Sequence, residues 1–313
     1  MNRRDFLSRS SIGAAAAFAA GIPAVHAAEA AKPFVKPDCP VIDMRLRPRY
    51  KGFSEQYTPA AIESCCRKAG FSVPESVKKD DEALMLKEMD EAGITMGMAL
   101  KRNMTPEALL TMQDHYKNRI RSFCVIDASD PIAKNIEIVE KWAVSGKFRG
   151  IYMEAGRARQ PTMVNDPKLF PIYEIAQKHN LVVGLMTGGN NSPNVIRSTD
   201  HSAVVDCAAN FPKVQFLMSH GGWPQVQEIL GIAYWYENVW IEADMYMFGG
   251  CPGWREYVDA ANGYLQDRFM YGSSYPLLPF RETVAQYREF FPNREVYEKV
   301  MYKNAARLLN IEL

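Results

Sequence analysis

Eight short apolar runs rich in β-branched and aromatic residues recur along the chain, at Val41–Met44, Thr95–Leu100, Arg121–Ile126, Arg149–Met153, Leu181–Leu185, Val214–Met218, Val239–Ile241 and Phe269–Tyr271. Between them lie segments with helical signals, at Asp80–Glu91, Pro106–Lys117, Pro131–Val144, Lys168–His179, Pro193–Asn210, Pro224–Tyr236 and Arg281–Phe290. Several open on a proline, which a first helical turn tolerates because the N–H it removes has no intrahelical partner. Continuously apolar strands separated by helices fit a parallel sheet covered on both faces. Eight such units without a domain break predict an α/β chain folded as a TIM (β/α)8 barrel rather than an open doubly wound sheet. No glycine fingerprint for a dinucleotide follows the first run. Tyr50 to Val77, containing Cys65-Cys66, stands between the first strand and the helix at Asp80. This places an insertion, at about 50–77, on the catalytic side, where it is expected to act as a lid.

In such a barrel the chemistry sits at the carboxyl ends of the strands, so the polar residue closing each run is the informative position. The first run ends in Arg45 and Arg47, the third in Asp127, the fourth in Glu154 and the fifth in Met186-Thr187. The sixth ends in His220, the seventh in Glu242 and Asp244, and the eighth in Ser273-Ser274. Alternation along a strand puts Arg45 and Arg47 on one face. Two guanidiniums at one mouth must meet neighbouring acids or an anionic ligand, because unpaired buried charge is too costly to persist.

Composition narrows the partner further. The 313 residues include 37 Lys+Arg against 36 Asp+Glu, a formal net charge of +1 with no basic block, which removes the electrostatic footprint of a nucleic-acid binder. Hydrophobic residues make up 47%, enough for a substantial core, and no run reaches membrane-spanning length. A small molecule is the expected partner. Six cysteines, at 39, 65, 66, 124, 207 and 251, include no Cys-x-x-Cys pair, against a structural zinc site or a thioredoxin-type centre. At the amino end, Asn2-Arg3-Arg4-Asp5-Phe6-Leu7 followed by the alanine-rich Ser11–Ala20 resembles a twin-arginine export signal. Cleavage after Val25-His26-Ala27 would remove residues 1–27 and leave 28–313 as a periplasmic domain without membrane contact.

Four further segments carry a family resemblance. Met218-Ser219-His220-Gly221-Gly222, Asn238-Val239-Trp240-Ile241-Glu242, Tyr271-Gly272-Ser273-Ser274-Tyr275-Pro276 and Asn304-Ala305-Ala306-Arg307-Leu308-Leu309 resemble the amidohydrolase-related family, typified by aminocarboxymuconate semialdehyde decarboxylase. The resemblance runs from Val41-Ile42-Asp43 to Leu309 and implies a distorted TIM barrel; family members commonly dimerise, which leaves room for a homodimer. It also implies a single divalent metal held by His-x-His after the first strand, a His after the fifth, a His after the sixth and an Asp after the eighth. Family members are hydrolases, notably of lactones, or carboxy-lyases on small acids. This sequence departs at the ligands: the His-x-His positions read Arg45-Leu46-Arg47, the strand-five position reads Met186, and the aspartate position reads Ser274. Only His220 matches. A guanidinium has no lone pair to give and a serine hydroxyl replaces a carboxylate poorly, so no catalytic metal and no cofactor is expected.

Two fixed cations in the metal's place can form forked hydrogen bonds to a carboxylate or stabilise an oxyanion, which implies a small anionic organic substrate. The catalytic candidates are His220, as an acid or base oriented by Asp244, with Asp244 and Glu154 as alternative bases or arginine counter-ions. The substrate-binding candidates are Arg45, Arg47, Thr187 in a small-residue loop, Trp223 as a pocket floor, Ser274 as a hydrogen-bonding hydroxyl, and Tyr275. The leading function is a metal-independent hydrolase of a small carboxylated substrate such as a lactone. The alternatives are a carboxy-lyase and a catalytically inactive periplasmic carboxylate binder.

Overall fold

The eight runs become eight parallel staves. In the computed structural model, which describes residues 33–189 and 200–312, the strands are β1 (Ile42–Leu46), β2 (Met96–Ala99), β3 (Ile120–Ser122), β4 (Cys124–Ile126), β5 (Gly150–Met153), β6 (Val182–Met186), β7 (Gln215–Ser219), β8 (Val239–Glu242) and β9 (Phe269–Met270). β3 and β4 are halves of one expected run, parted at Phe123, so β1-β2-β3 form one ladder and β4 through β9 another. All pairs are parallel, with the register advancing strand by strand. The seam between β9 and β1 carries no regular ladder. It is joined instead by Met44 N to Tyr271 O at 2.9 Å, Ser274 N to Arg45 O at 2.8 Å and Arg47 N to Tyr275 O at 2.9 Å. The fold is thus a distorted TIM barrel, as the strand count and the resemblance imply. Residues Val35–Leu313 form one compact unit.

Burial explains the apolar runs: all five residues of β1 and all five of β6 are buried, polar Asp43 and Arg45 included. The helices form the outer layer and begin where the sequence supplies caps. Thr105 accepts from Ala108 N ahead of the helix Pro106–His115, and Asp81 accepts from Leu84 N ahead of Glu82–Ala92. The expected signal segment and the start of the helix expected at Pro193 lie outside the described residues; the described part of that helix runs Ser202–Asn210. Helices at Pro59–Ala69, Trp254–Asn262 and Arg294–Glu298 were not expected from the pattern. They are polar on balance and bury few apolar residues, for instance only Ile62 and Cys66 in the first, so no apolar run marks them. Among the described residues no helix is long and apolar enough to cross a membrane.

The stretch at 50–77 holds Pro59–Ala69, capped by Thr58 and stopped by Gly70 in the left-handed conformation at φ 75°. Ile62 and Cys66 pack on Leu277, and Ser76 Oγ meets Tyr275 Oη at 2.8 Å. Gly249 passes so close that a Cβ there would lie 2.5 Å from the Lys68 carbonyl oxygen. The insertion therefore sits on the loops that follow β8 and β9, at the ends of the strands.

Candidate active site

Three strand ends deliver their side chains through the same backbone device. His220 after β7, Asp244 after β8 and Ser274 after β9 have φ of 67°, 39° and 61°, a left-handed conformation that non-glycine residues avoid. Each such residue costs about 1–3 kcal/mol and persists only where its surroundings over-determine it. Here the surroundings are one another. Ser274 Oγ donates to Asp244 Oδ2 at 2.6 Å, and His220 Nδ1 lies 2.9 Å from that same oxygen, off the line of an ideal N–H bond.

Arg45 completes the cluster. It is 1% exposed, donates through Nη1 to Tyr152 Oη at 2.8 Å, and its Nη2 stands 2.8 Å from His220 Nε2. Its Nε lies 3.9 Å from Asp244 Oδ2. Burial works against its charge, and the oxygens of Tyr152, Glu242, Asp244 and Glu154 more than offset that, so its proton is held more tightly than usual. A guanidinium can only donate, which fixes Nε2 of His220 as the acceptor and puts the ring proton on Nδ1, toward Asp244. Burial first, and the Arg45 charge with it, push the imidazole below its ordinary range, against the opposing pull of Asp244. His220 is therefore neutral with its lone pair already engaged.

The two acids beside it diverge. Burial raises Asp244, but His220, Arg45 and Ser274 outweigh it and hold the carboxyl below its usual range; its Oδ1 is buried without a partner. Glu242, two residues earlier, is fully buried, and neither of its oxygens has a hydrogen-bond partner among the described residues. Burial, and then the negative Asp244, push it well above the usual value for a glutamate, which favours its neutral form. Space for it depends on Gly272, where a Cβ would come within 2.4 Å of Glu242 Oε1. Asp43, also fully buried, accepts from Arg45 N and Ser273 N, both at 2.9 Å, and from Ser273 Oγ at 2.5 Å.

Arg47 is placed differently from Arg45. One extra residue in β1 between Asp43 and Leu46 shifts the register against β2. Arg47 is 3% exposed, its Nε and Nη1 are buried without partners, and its guanidinium carbon lies 5.2 Å from the centre of the Tyr57 ring in the insertion. Among the described residues no carboxylate comes within ion-pair distance of it.

The remaining candidates fall around this centre or away from it. Glu154 is half-buried and near enough to act on Arg45 and Tyr152 by charge. Thr187 Oγ1 turns to Ser219 O at 3.5 Å, and Trp223 stacks on Tyr246 at 4.7 Å while donating from Nε1 to Pro252 O. Tyr246 in turn meets the His220 ring edge-on at 5.6 Å. Tyr275 does not join them: its hydroxyl faces Ser76 and its ring stacks on Phe280 at 4.3 Å. Asp127 belongs to a separate cleft of about 550 Å³ with Asp130, Lys134 and Arg159. Two contributors were not singled out from sequence. Glu242 closes its run visibly, but Tyr152 sits inside an apolar strand and looks like core.

The donors do not fit a divalent cation. A permanent cation occupies the imidazole lone pair at 2.8 Å, and among the described residues no three His, Cys, Asp or Glu side chains are arranged to hold a metal.

The model of the family described as Amidohydrolase matches residues 78–311. The chain belongs to the amidohydrolase family. The match begins beyond Arg45 and Arg47, so their correspondence to family ligand positions rests on the strand order alone. No curated protein matches this amidohydrolase. Among solved structures, an uncharacterised TIM-barrel protein of Bordetella bronchiseptica is 29% identical over 87% of this chain and 98% of its own, with a TM-score of 0.80. A 2,6-dihydroxybenzoate decarboxylase from Rhizobium is 14% identical over 87% of this chain and 99% of its own, at a TM-score of 0.61. A 4-oxalomesaconate hydratase from Rhodopseudomonas palustris is 16% identical over 86% and 95%, at 0.56. These last two share the barrel.

Proposed function

We propose that this amidohydrolase is a periplasmic enzyme that hydrolyses a small carboxylated substrate, such as a lactone, without a divalent metal. The observation that carries the substrate class is Arg47, a buried guanidinium with two nitrogens that have no partner, and no carboxylate at ion-pair distance, among the described residues. Leaving such a cation unpaired costs several kcal/mol, a cost that a bound carboxylate removes. The divergence of Asp244 and Glu242 supports the reaction class, since two neighbouring carboxyls driven apart in proton affinity make a base and an acid. Water gives its proton to Asp244 Oδ1 and attacks the carbonyl carbon. The adjacent Arg45 charge stabilises the oxyanion, and Glu242 protonates the ring oxygen as the C–O bond opens. His220, with its lone pair on Arg45, positions Asp244 instead of accepting the proton itself.

Glu242 also favours a second reading, a carboxy-lyase in which this buried acid protonates carbon as carbon dioxide leaves. Product analysis on a panel of lactone acids and small organic acids separates the two: gain of one water means hydrolysis, release of carbon dioxide means the lyase. A wild-type protein that tightly binds a carboxylate and turns over none of the panel supports the inactive binder instead. The insertion at 50–77 is proposed to cover the site, supported by Tyr57 lying on Arg47. Export rests on Arg3-Arg4, and cell fractionation of the double lysine variant tests it.

A further inference from the structure

Arg47 is not the only cation left without an acid at this end of the barrel. Lys101, two residues beyond β2, is half-buried, and among the described residues no carboxylate lies within ion-pair distance of it. Its ammonium lies 5.7 Å from the centre of the Phe53 ring, as the Arg47 guanidinium lies 5.2 Å from Tyr57. Phe53 and Tyr57 flank one short turn, Ser54–Gln56, so a single turn of the insertion supplies a ring to each cation. Burial lowers the Lys101 proton affinity; Glu55 raises it and the Arg47 charge lowers it again, so the two cations sense each other. Glu55 itself is exposed and accepts from Gly52 N at 3.0 Å, turned into its own turn rather than onto the lysine. Two like charges at the ends of β1 and β2, neither within ion-pair distance of a carboxylate among the described residues, repel each other and are jointly relieved by a ligand that carries two negative groups.

We propose that Arg47 and Lys101 form a two-cation subsite under the 53–57 turn that selects a dicarboxylate. This rests on the reading that Arg47 takes a carboxylate and adds that Lys101 takes the second one, making Lys101 the residue that sets preference for diacids over monoacids.

Calorimetric titration of the full chain with malonate, succinate, glutarate and adipate, each against its half-amide of equal length, tests it. At least one diacid binds the wild type about tenfold or more tightly than its half-amide, the effect of one charge-assisted hydrogen bond. In Lys101→Met that ratio falls to near one while half-amide binding is unchanged, which also shows the variant to be folded; Arg47→Met loses both ligands. A wild-type ratio near one, a diacid preference that survives Lys101→Met, or loss of both ligands in Lys101→Met would each overturn the two-cation subsite while leaving the Arg47 reading intact. Failure of the wild type to bind any member overturns both.

Discussion

Asp43 gives the sharpest quantitative test of the site, because its carboxyl is wholly buried yet satisfied. Burial raises it from 3.8 to about 6, against the hydrogen bonds from Ser273 and the Arg45 backbone. For an acid raised in the folded state the sign runs against stability. Below pH 3.8 both states are protonated and nothing is lost; above about 6 both are ionised, and folding bears the full cost of burying the charge. At ~1.4 kcal/mol for each tenfold change in proton affinity, the gap amounts to about 3 kcal/mol, about half of it already present at pH 5. Asp43→Asn removes the charge and keeps the geometry. The amide oxygen still accepts from Arg45 N and Ser273 N. The new NH2 donates to Ser273 Oγ, whose own proton is free to turn to Arg45 O, 3.4 Å away. Urea unfolding of wild type and variant at pH 5 and pH 8 should show the variant more stable by about 3 kcal/mol at pH 8 and by roughly half that at pH 5. A variant less stable than wild type by the same amount at both pH values would refute the reasoning, since it would mean that the carboxylate contributes bonds and no titrating cost.

Three more outcomes are expected. Asp244→Asn leaves Arg45 without its ion-pair partner and should cost about 3–5 kcal/mol in chemical denaturation together with most of the activity. Tyr275→Phe deletes only the bond to Ser76, so it should lower stability by about 1 kcal/mol and leave KM unchanged; a raised KM would place Tyr275 against substrate after all. Dialysis against a strong chelator should leave kcat/KM unaltered, and elemental analysis of undialysed protein should find no stoichiometric zinc or manganese, because the Nε2 lone pair of His220 is occupied by Arg45.

How much of this was legible beforehand depends on the physical scale of each feature. Every stave was visible, because a strand buried on both faces must be apolar along its whole length; even the break at Phe123 falls inside a run that read as continuous. The positions of His220, Asp244, Arg45 and Arg47 followed from the rule that strand ends face the mouth. What could not be read was the assignment of partners. Alternation along the strand makes the two arginines equivalent, whereas the structure gives Arg45 polar partners and Arg47 an aromatic ring. Nor did the sequence separate a histidine oriented by an acid from one whose lone pair is taken by a neighbouring cation; that distinction is 2.8 Å of distance from a residue 175 positions away.

The difference between the arginines is what makes the site intelligible. Arg45 touches groups from three other staves, Tyr152, His220 and Asp244, and so does structurally what a central ion does: one positive charge holds side chains from separate staves in register. A charge committed in that way can act on a reacting oxygen through its field while its place is fixed, since two of its nitrogens are engaged and Asp244 lies beside it. Arg47, the residue after the same strand, has a different environment: aromatic on one side, with no carboxylate at ion-pair distance among the described residues, and nearly sealed from water. Had both positions been structural, the cheaper arrangement would have given Arg47 a carboxylate or replaced it with an apolar side chain of similar volume. Its isolation therefore argues for a ligand that supplies the missing charge. The ordered lattice around Arg45 is what allows that demand to be directional, because a cation held on rigid strand ends presents its free N–H groups in one orientation.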